Sequence, residues 1–226
     1  GDSCLIVGEV RSTEALALYE AMRVGALANV VAGTIHGDSP YGVYDRLVND
    51  LGVPKTSFKA TDLVIVANPV KTSDGLHRNR RITSITEVRK NWENDPDLEG
   101  GFMELFKYDP QTDRLELTDD LINGESDILK AIGSNVKQWA GNWDGIWQNI
   151  TLRGKVKKLQ VDLSVHYESE ELLEAAPVIL ANDMFHKIAE KVNNEEGNLD
   201  PDKIYFKFKD WYEGYAKQFF EENSKA

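Results

Sequence analysis

Cys4-Leu5-Ile6-Val7-Gly8-Glu9-Val10-Arg11 is a short apolar run that ends on a glycine, an acid and a base. An uninterrupted apolar run of this length reads as a β-strand buried on both faces of a parallel sheet. Ligands in open α/β sheets bind beyond the carboxyl ends of such strands, and Glu9 and Arg11 fall at that end. A glutamate there can polarise an attacking water or hold a metal-bound water, and an arginine two residues on can meet a phosphate oxygen.

The next segment repeats the pattern. Ser12 or Thr13 can cap a helix, and Glu14 suits its positive end. Ala15, Leu16, Leu18, Tyr19 and Met22 give that helix an apolar side before Gly25. Asn29, Val30, Val31, Ala32 and Gly33 then form a second apolar run that leads into Thr34, Ile35 and His36. A right-handed crossover sets the two strands parallel, with both carboxyl ends on one edge of the sheet. Glu9 and His36 are therefore expected to share one site.

Gly8 to Arg11 resembles the Walker B segment of the secretion ATPases that power type II and type IV secretion, type IV pili and the archaellum. Gly33-Thr34-Ile35-His36-Gly37-Asp38-Ser39-Pro40 resembles their histidine box. Tyr44 to Pro54 and Arg80 to Val88 are similar to the archaeal branch. The resemblance is clear over the first half of the chain and thinner through the rest. It implies ATP and magnesium as cofactors. Glu9 would orient the hydrolytic water near magnesium, binding the metal through water, and His36 would approach the γ-phosphate. Arg11 and Thr34 would face the nucleotide. Their own chemistry leaves alternatives open: Arg11 can meet nucleotide, a neighbouring subunit, or Glu9 or Glu14 as a local ion pair. Thr34 and Asp38 can be supporting partners or turn residues, and His36 can be a core histidine satisfied by backbone.

One element of that family is absent from the sequence. Phosphate binding there uses a glycine-rich loop ending in Lys and Ser or Thr, whose backbone N–H groups and ammonium surround the phosphates. The Gly154-Lys155 pair is followed by Val156. In the family the phosphate loop, an acidic box and an N-terminal domain precede the Walker B strand. The resemblance therefore implies the C-terminal portion of a motor ATPase, inactive alone and completed by an N-terminal half carrying the loop. A homo-hexamer and a membrane platform protein are the implied partners, and the implied location is cytoplasmic, peripheral to the membrane through a secretion complex. The alternative is a non-catalytic assembly or platform-binding module.

Composition narrows the classes further. The chain has 226 residues and a formal charge of −12, which disfavours nucleic acid as a partner because such surfaces work by neutralising phosphates. A single cysteine forms no internal disulfide, and Cys4 in its apolar run reads as a small core residue. No apolar stretch approaches the roughly 18 to 20 residues that cross a bilayer. Residues 71 to 90 are locally basic, with Lys71, His77, Arg78, Arg80, Arg81, Arg89 and Lys90, and read as a solvated hairpin or as a contact to an adjacent subunit or its nucleotide.

The expected fold is α/β: the C-terminal part of a RecA-like core over 1–118, with a parallel sheet plus a β-hairpin, then a helical subdomain over 119–226. Val43, Leu47, Val48 and Leu51 predict a helix from Tyr41 to Leu51, stopped by Gly52 and Pro54. Leu63 to Val66, Arg81 to Val88, Phe102 to Tyr108 and Arg114 to Leu117 predict strands, the last two a hairpin. Beyond Thr118 the period changes, with helices expected over Ser126 to Trp139, Trp143 to His166, Glu170 to Val192 and Pro201 to Glu222, and with breaks at Gly133, Gly141 and Pro177. The aromatic last helix reads as core or as a docking face.

Overall fold

A computed structural model of the chain describes residues 4–23, 30–72 and 74–223. Strand β1 (Cys4–Val7) and strand β2 (Val30–Gly33) pair in parallel, with Val7 opposite Gly33, and helix α1 (Glu14–Arg23) lies between them in sequence. The helix stop expected at Gly25 and the strand start expected at Asn29 lie outside the described residues. Cys4 is exposed rather than part of the core, and Ile6 is 76% exposed. A strand read as buried on both faces is in fact open on one of them. The reason is the size of the sheet: among the described residues it has two strands, so nothing covers the side chains that point away from α1.

Helix α2 (Pro40–Asp45) continues without interruption into a π-helical turn, Arg46–Asp50, and Gly52 closes the segment at φ +73°. Ser39 caps α2, its hydroxyl accepting from the Gly42 N–H at 3.0 Å. The short helix α3 (Lys55–Phe58) leads into an antiparallel meander of β3 (Leu63–Lys71), β4 (Arg78–Val88), β5 (Phe102–Asp109) and β6 (Arg114–Leu117). β3 runs on past the expected Val66 to include Pro69. It is the edge strand, where a residue without an N–H costs no ladder bond. The expected hairpin at residues 71 to 90 is the β3–β4 turn.

The core of this part joins both sheets' neighbours in one cluster: Ala15 and Tyr19 of α1, Tyr44 and Leu47 of α2 and its π-turn, Phe58, Val64 and Val66, and Trp92. Trp92 is fully buried, edge-on to Tyr44 and Phe58 with ring centroids 5.6 and 6.3 Å away, and its indole N–H donates to the Arg89 carbonyl at 2.8 Å. Gly101 is required by this packing, because a Cβ there would lie 2.5 Å from Trp92 Cδ1 and 2.8 Å from Pro96 Cα. Gly101→Ala is expected to cost about 1–3 kcal/mol. Denaturant unfolding should show a lower midpoint at unchanged slope, and an unmoved midpoint would mean the Trp92 loop yields freely.

The chain divides into two units, Gly1–Ile132 and Gly133–Ala226. The stretch after Thr118 belongs with the strands for local reasons. The Thr118 hydroxyl bonds the Glu104 carbonyl at 2.8 Å and also accepts from Leu121 N–H, capping helix α4 (Asp119–Ile122). Helix α5 (Asp127–Ser134) starts on a fully buried carboxylate: Glu87 accepts from the Ser126 hydroxyl and, at 2.9 Å, from the Asp127 N–H. A negative charge is stabilised at that end of a helix. α5 stops at Ser134 rather than Trp139, the chain continuing as turns with bonds such as Val136 N–H to the Gly133 carbonyl.

The second unit is a three-helix arrangement of α6 (Trp143–His166), α7 (Ala175–Glu196) and α8 (Pro201–Asn223), with a 3₁₀ turn at Glu170–Leu173 before α7. The single helix expected over Glu170 to Val192 is therefore interrupted. Glu174 is extended, at φ −69° and ψ 164°, and Pro177 sits in the first turn of α7, where a missing N–H is harmless. Leu152, Val156 and Leu159 of α6 meet Ala181, Phe185 and Val192 of α7 and Ile204, Phe208 and Tyr212 of α8. Most of the aromatic side of α8 is therefore core. No helix among the described residues is long and apolar enough to cross a membrane.

Candidate functional site

The parallel register of β1 and β2 persists past their last paired residues. The Val10 N–H donates to the Thr34 carbonyl at 2.8 Å, and the Thr34 hydroxyl donates to the Gly8 carbonyl. These two bonds hold the departing loops together, and they bring His36 Nε2 to 3.2 Å from Glu9 Oε1. The acid and the imidazole emerge side by side, as the strand pattern predicts. Thr34 acts on the loop geometry through its bond to Gly8.

The His36 loop is fixed on its far side as well. A Cβ at Gly37 would lie 2.7 Å from Val43 Cγ2 and 3.2 Å from the Val43 backbone nitrogen, so only glycine allows the loop to close onto α2. Asn68 donates to the Asp38 carbonyl at 3.1 Å, tying the same loop to β3, and Asp38 accepts from the Ser39 hydroxyl at 3.1 Å. His36 itself stays open to solvent, with 81% of its side chain exposed against 24% for Glu9.

Arg11 takes the local ion pair among its alternatives, its Nη2 donating to Glu9 Oε2. That hydrogen bond is the main cause holding the Glu9 carboxyl below the ordinary carboxylate range. Partial burial opposes it, and the charges of Arg11, His36 and Arg46 reinforce it. Glu9 is thus ionised at neutral pH, the form a base needs.

Arg46 is the residue that sequence reasoning misses. It opens the π-helical turn, and its charge reaches Glu9. Its signal was present as a charged residue one helical step after Val43 and next to Leu47, both buried, on a helix otherwise apolar along that face. π-helical turns recur at functional sites. Two atoms in this cluster are enclosed and lack a hydrogen-bond partner among the described residues: Glu9 Oε1 and Arg46 Nε. His36 Nε2 approaches Glu9 Oε1 to 3.2 Å without hydrogen-bond alignment. An orphaned carboxylate oxygen fits a water, free or metal-bound, and an orphaned guanidinium N–H fits a phosphate oxygen.

The chemistry of the donor set agrees with that fit. Two guanidinium groups and an imidazole surround one carboxylate in a chain of net charge −12, so the cluster is a local cationic exception. Among the described residues no group of three or more His, Cys, Asp or Glu could hold a metal by itself. A magnesium ion held here would therefore need oxygens from a ligand besides Glu9.

Glu14 secures the start of α1 behind this loop. Its carboxylate accepts from the Ser12 hydroxyl and from the N–H groups of Arg11 at 3.1 Å and Ser12 at 3.2 Å. The Ser12 bond is the largest cause lowering its pKa from 4.5 to about 2. A depressed folded-state pKa contributes stability above the unfolded value and loses it as pH falls through the folded one. Glu14→Gln is therefore expected to flatten the acid limb of stability between pH 4.5 and about 2. Thermal unfolding over that range measures it, and an unchanged limb would place the acid sensitivity elsewhere.

A groove of about 670 Å³ runs along β2, lined by Leu18, Tyr19 and Met22 of α1, Val31 of β2, and Leu63 and Ile65 of β3. Val30 and Ile65 are exposed beside it. The small parallel sheet therefore presents open apolar surface next to the Glu9 and His36 loops.

No family model matches this chain. It is 33% identical over 130 residues to the uncharacterized protein MJ1287 of Methanocaldococcus jannaschii, an alignment that takes in 57% of this chain and 43% of that protein. The chain thus spans less than half the length of that relative.

Proposed function

We propose that this chain is the C-terminal portion of a secretion or pilus-assembly motor ATPase, built on part of a RecA-like core, that contributes Glu9 and His36 to an ATP site. The observation that carries the reading is the 3.2 Å approach of His36 Nε2 to Glu9 Oε1 at the carboxyl ends of two parallel strands. It is supported by the enclosed, unpartnered Glu9 Oε1 and Arg46 Nε, an acceptor and a donor in one cluster. The exposed face of β1 and the groove beside β2 support completion of the sheet by a second half that also carries the phosphate loop.

In this mechanism Glu9, ionised through its contact with Arg11, orients the attacking water and takes its proton. His36, exposed at the mouth of the cluster, donates a hydrogen bond to the terminal phosphate. Arg46 turns its unspent N–H to phosphate oxygen, and Arg11 can leave Glu9 for the same charge. Thr34 holds the two loops in register. Magnesium, when bound with ATP, neutralises phosphate charge. The protein contributes positioning and charge stabilisation, with no covalent step of its own.

The test joins the chain to a phosphate-loop-bearing N-terminal half and measures magnesium-dependent ATP hydrolysis. The joined protein should turn over, and His36→Ala should lower kcat by more than it raises KM. A rise in KM with kcat preserved would remove His36 from the terminal phosphate. Joined protein that folds, binds ATP and hydrolyses none would favour the assembly or platform-binding module instead.

A further inference from the structure

The tip of the β3–β4 hairpin carries a pattern that the nucleotide site does not use. Lys71 pairs across the strands with Arg78, and Pro69 with Arg80. Cross-strand partners share a sheet face, so Lys71, Arg78 and Arg80 form a row of cations on one face. All three are exposed, and none of their side chains makes an ion pair or hydrogen bond among the described residues. Neighbouring cations differ. Arg81 grips Asp113 through Nε and Nη2, both at 2.8 Å, Lys90 pairs with Asp62 at 3.1 Å, and Arg89 donates to the Glu125 carbonyl at 3.1 Å.

One large apolar side chain stands out on the turn. Leu76 is 84% exposed there. Asp74, the acid of the turn, is turned onto it, accepting from the Thr72 hydroxyl, the Leu76 N–H at 2.9 Å and the His77 ring at 2.8 Å. The tip thus offers a leucine at its point and three unpaired cations behind it.

We propose that this tip docks on an anionic phospholipid bilayer, with Leu76 entering the headgroup boundary and Lys71, Arg78 and Arg80 meeting lipid phosphates. The dimensions match. At a strand rise of about 3.3 Å per residue, Arg80 sits about 7 Å behind Arg78 along β4. The polar zone on each side of a bilayer is roughly 5–7 Å deep, and the surface potential extends about a Debye length, roughly 8 Å, beyond it. A convex apex without a cleft suits a fluid surface that demands charge and not shape. The net charge of −12 keeps the rest of the chain off such a surface, so the contact is confined to the tip.

Cosedimentation with phosphatidylcholine vesicles, with and without phosphatidylglycerol, tests this. The chain should bind only the anionic vesicles and be released by salt. Each cation near such a surface is worth about fivefold in partitioning, so the triple variant Lys71→Gln, Arg78→Gln, Arg80→Gln should lose roughly a hundredfold. Leu76→Asn should weaken binding while keeping its salt dependence, and Lys158→Gln, whose partner is Asp162, should change nothing. Circular dichroism confirms that the variants fold. No binding to anionic vesicles, equal binding to neutral ones, or an unchanged triple variant overturns the proposal. So does binding through these cations to a polyglutamate peptide but not to vesicles, which would make the tip a protein-docking face. Nucleotide plays no part in these measurements, so they stand or fall apart from the ATPase reading.

Discussion

Glu9→Gln should lower magnesium-dependent ATP hydrolysis by about 10² to 10⁴ in a protein that joins this chain to a phosphate-loop half, the usual loss on removing a general base. The amide keeps the shape of the side chain but carries no charge to take the proton of the attacking water. It also gives up the charged contact that Arg11 makes with Glu9 Oε2. The loss belongs in kcat, with ATP binding retained, because the proposed role of the carboxylate is toward water rather than toward the nucleotide. Steady-state kinetics separate the two, and unchanged turnover would strip Glu9 of the role. Arg46→Gln makes the complementary test: under the proposed phosphate contact, losing the guanidinium should weaken both binding and turnover.

Trp92→Ala is expected to be the largest single loss of stability in the first unit, about 3–5 kcal/mol. The indole is fully buried, edge-on to Tyr44 and Phe58, and lies 4.7 Å beneath the Lys59 ammonium. Its removal leaves a cavity bounded by aromatic rings that cannot collapse into it. It also leaves the Arg89 carbonyl without the indole N–H that donates to it at 2.8 Å. The damage should reach the site, since Tyr44 and Leu47 of the same cluster flank Arg46 on its helix. Denaturant unfolding reads the effect, and a loss below 1 kcal/mol would mean that the core closes over the gap.

The strands leading to Glu9 and His36 were legible because a parallel pair with a helical crossover has one permitted hand, so two strand ends identify one edge. Helix α6 spans the expected Trp143 to His166, and in the structure Asn142 caps its start. The break at Glu174 was not legible, because an acidic, helix-favouring run conceals an extended residue that tertiary packing selects. Cys4 shows the converse failure. Apolar character predicts burial only when a neighbour exists to supply it, and the two-stranded sheet supplies none on that side.

Order along the chain was enough to establish the long helix α6, the central stretches of the strands and that an acid and a histidine leave neighbouring strand ends, because strand pattern, crossover hand and capping are local physics. Packing alone brought the charge of Arg46 to bear on the Glu9 carboxylate, buried Trp92 and Glu87, and left Lys71, Arg78 and Arg80 without partners among the described residues. Each of those outcomes depends on which residues distant in sequence compete for the same charge or the same space, and no local pattern encodes that competition.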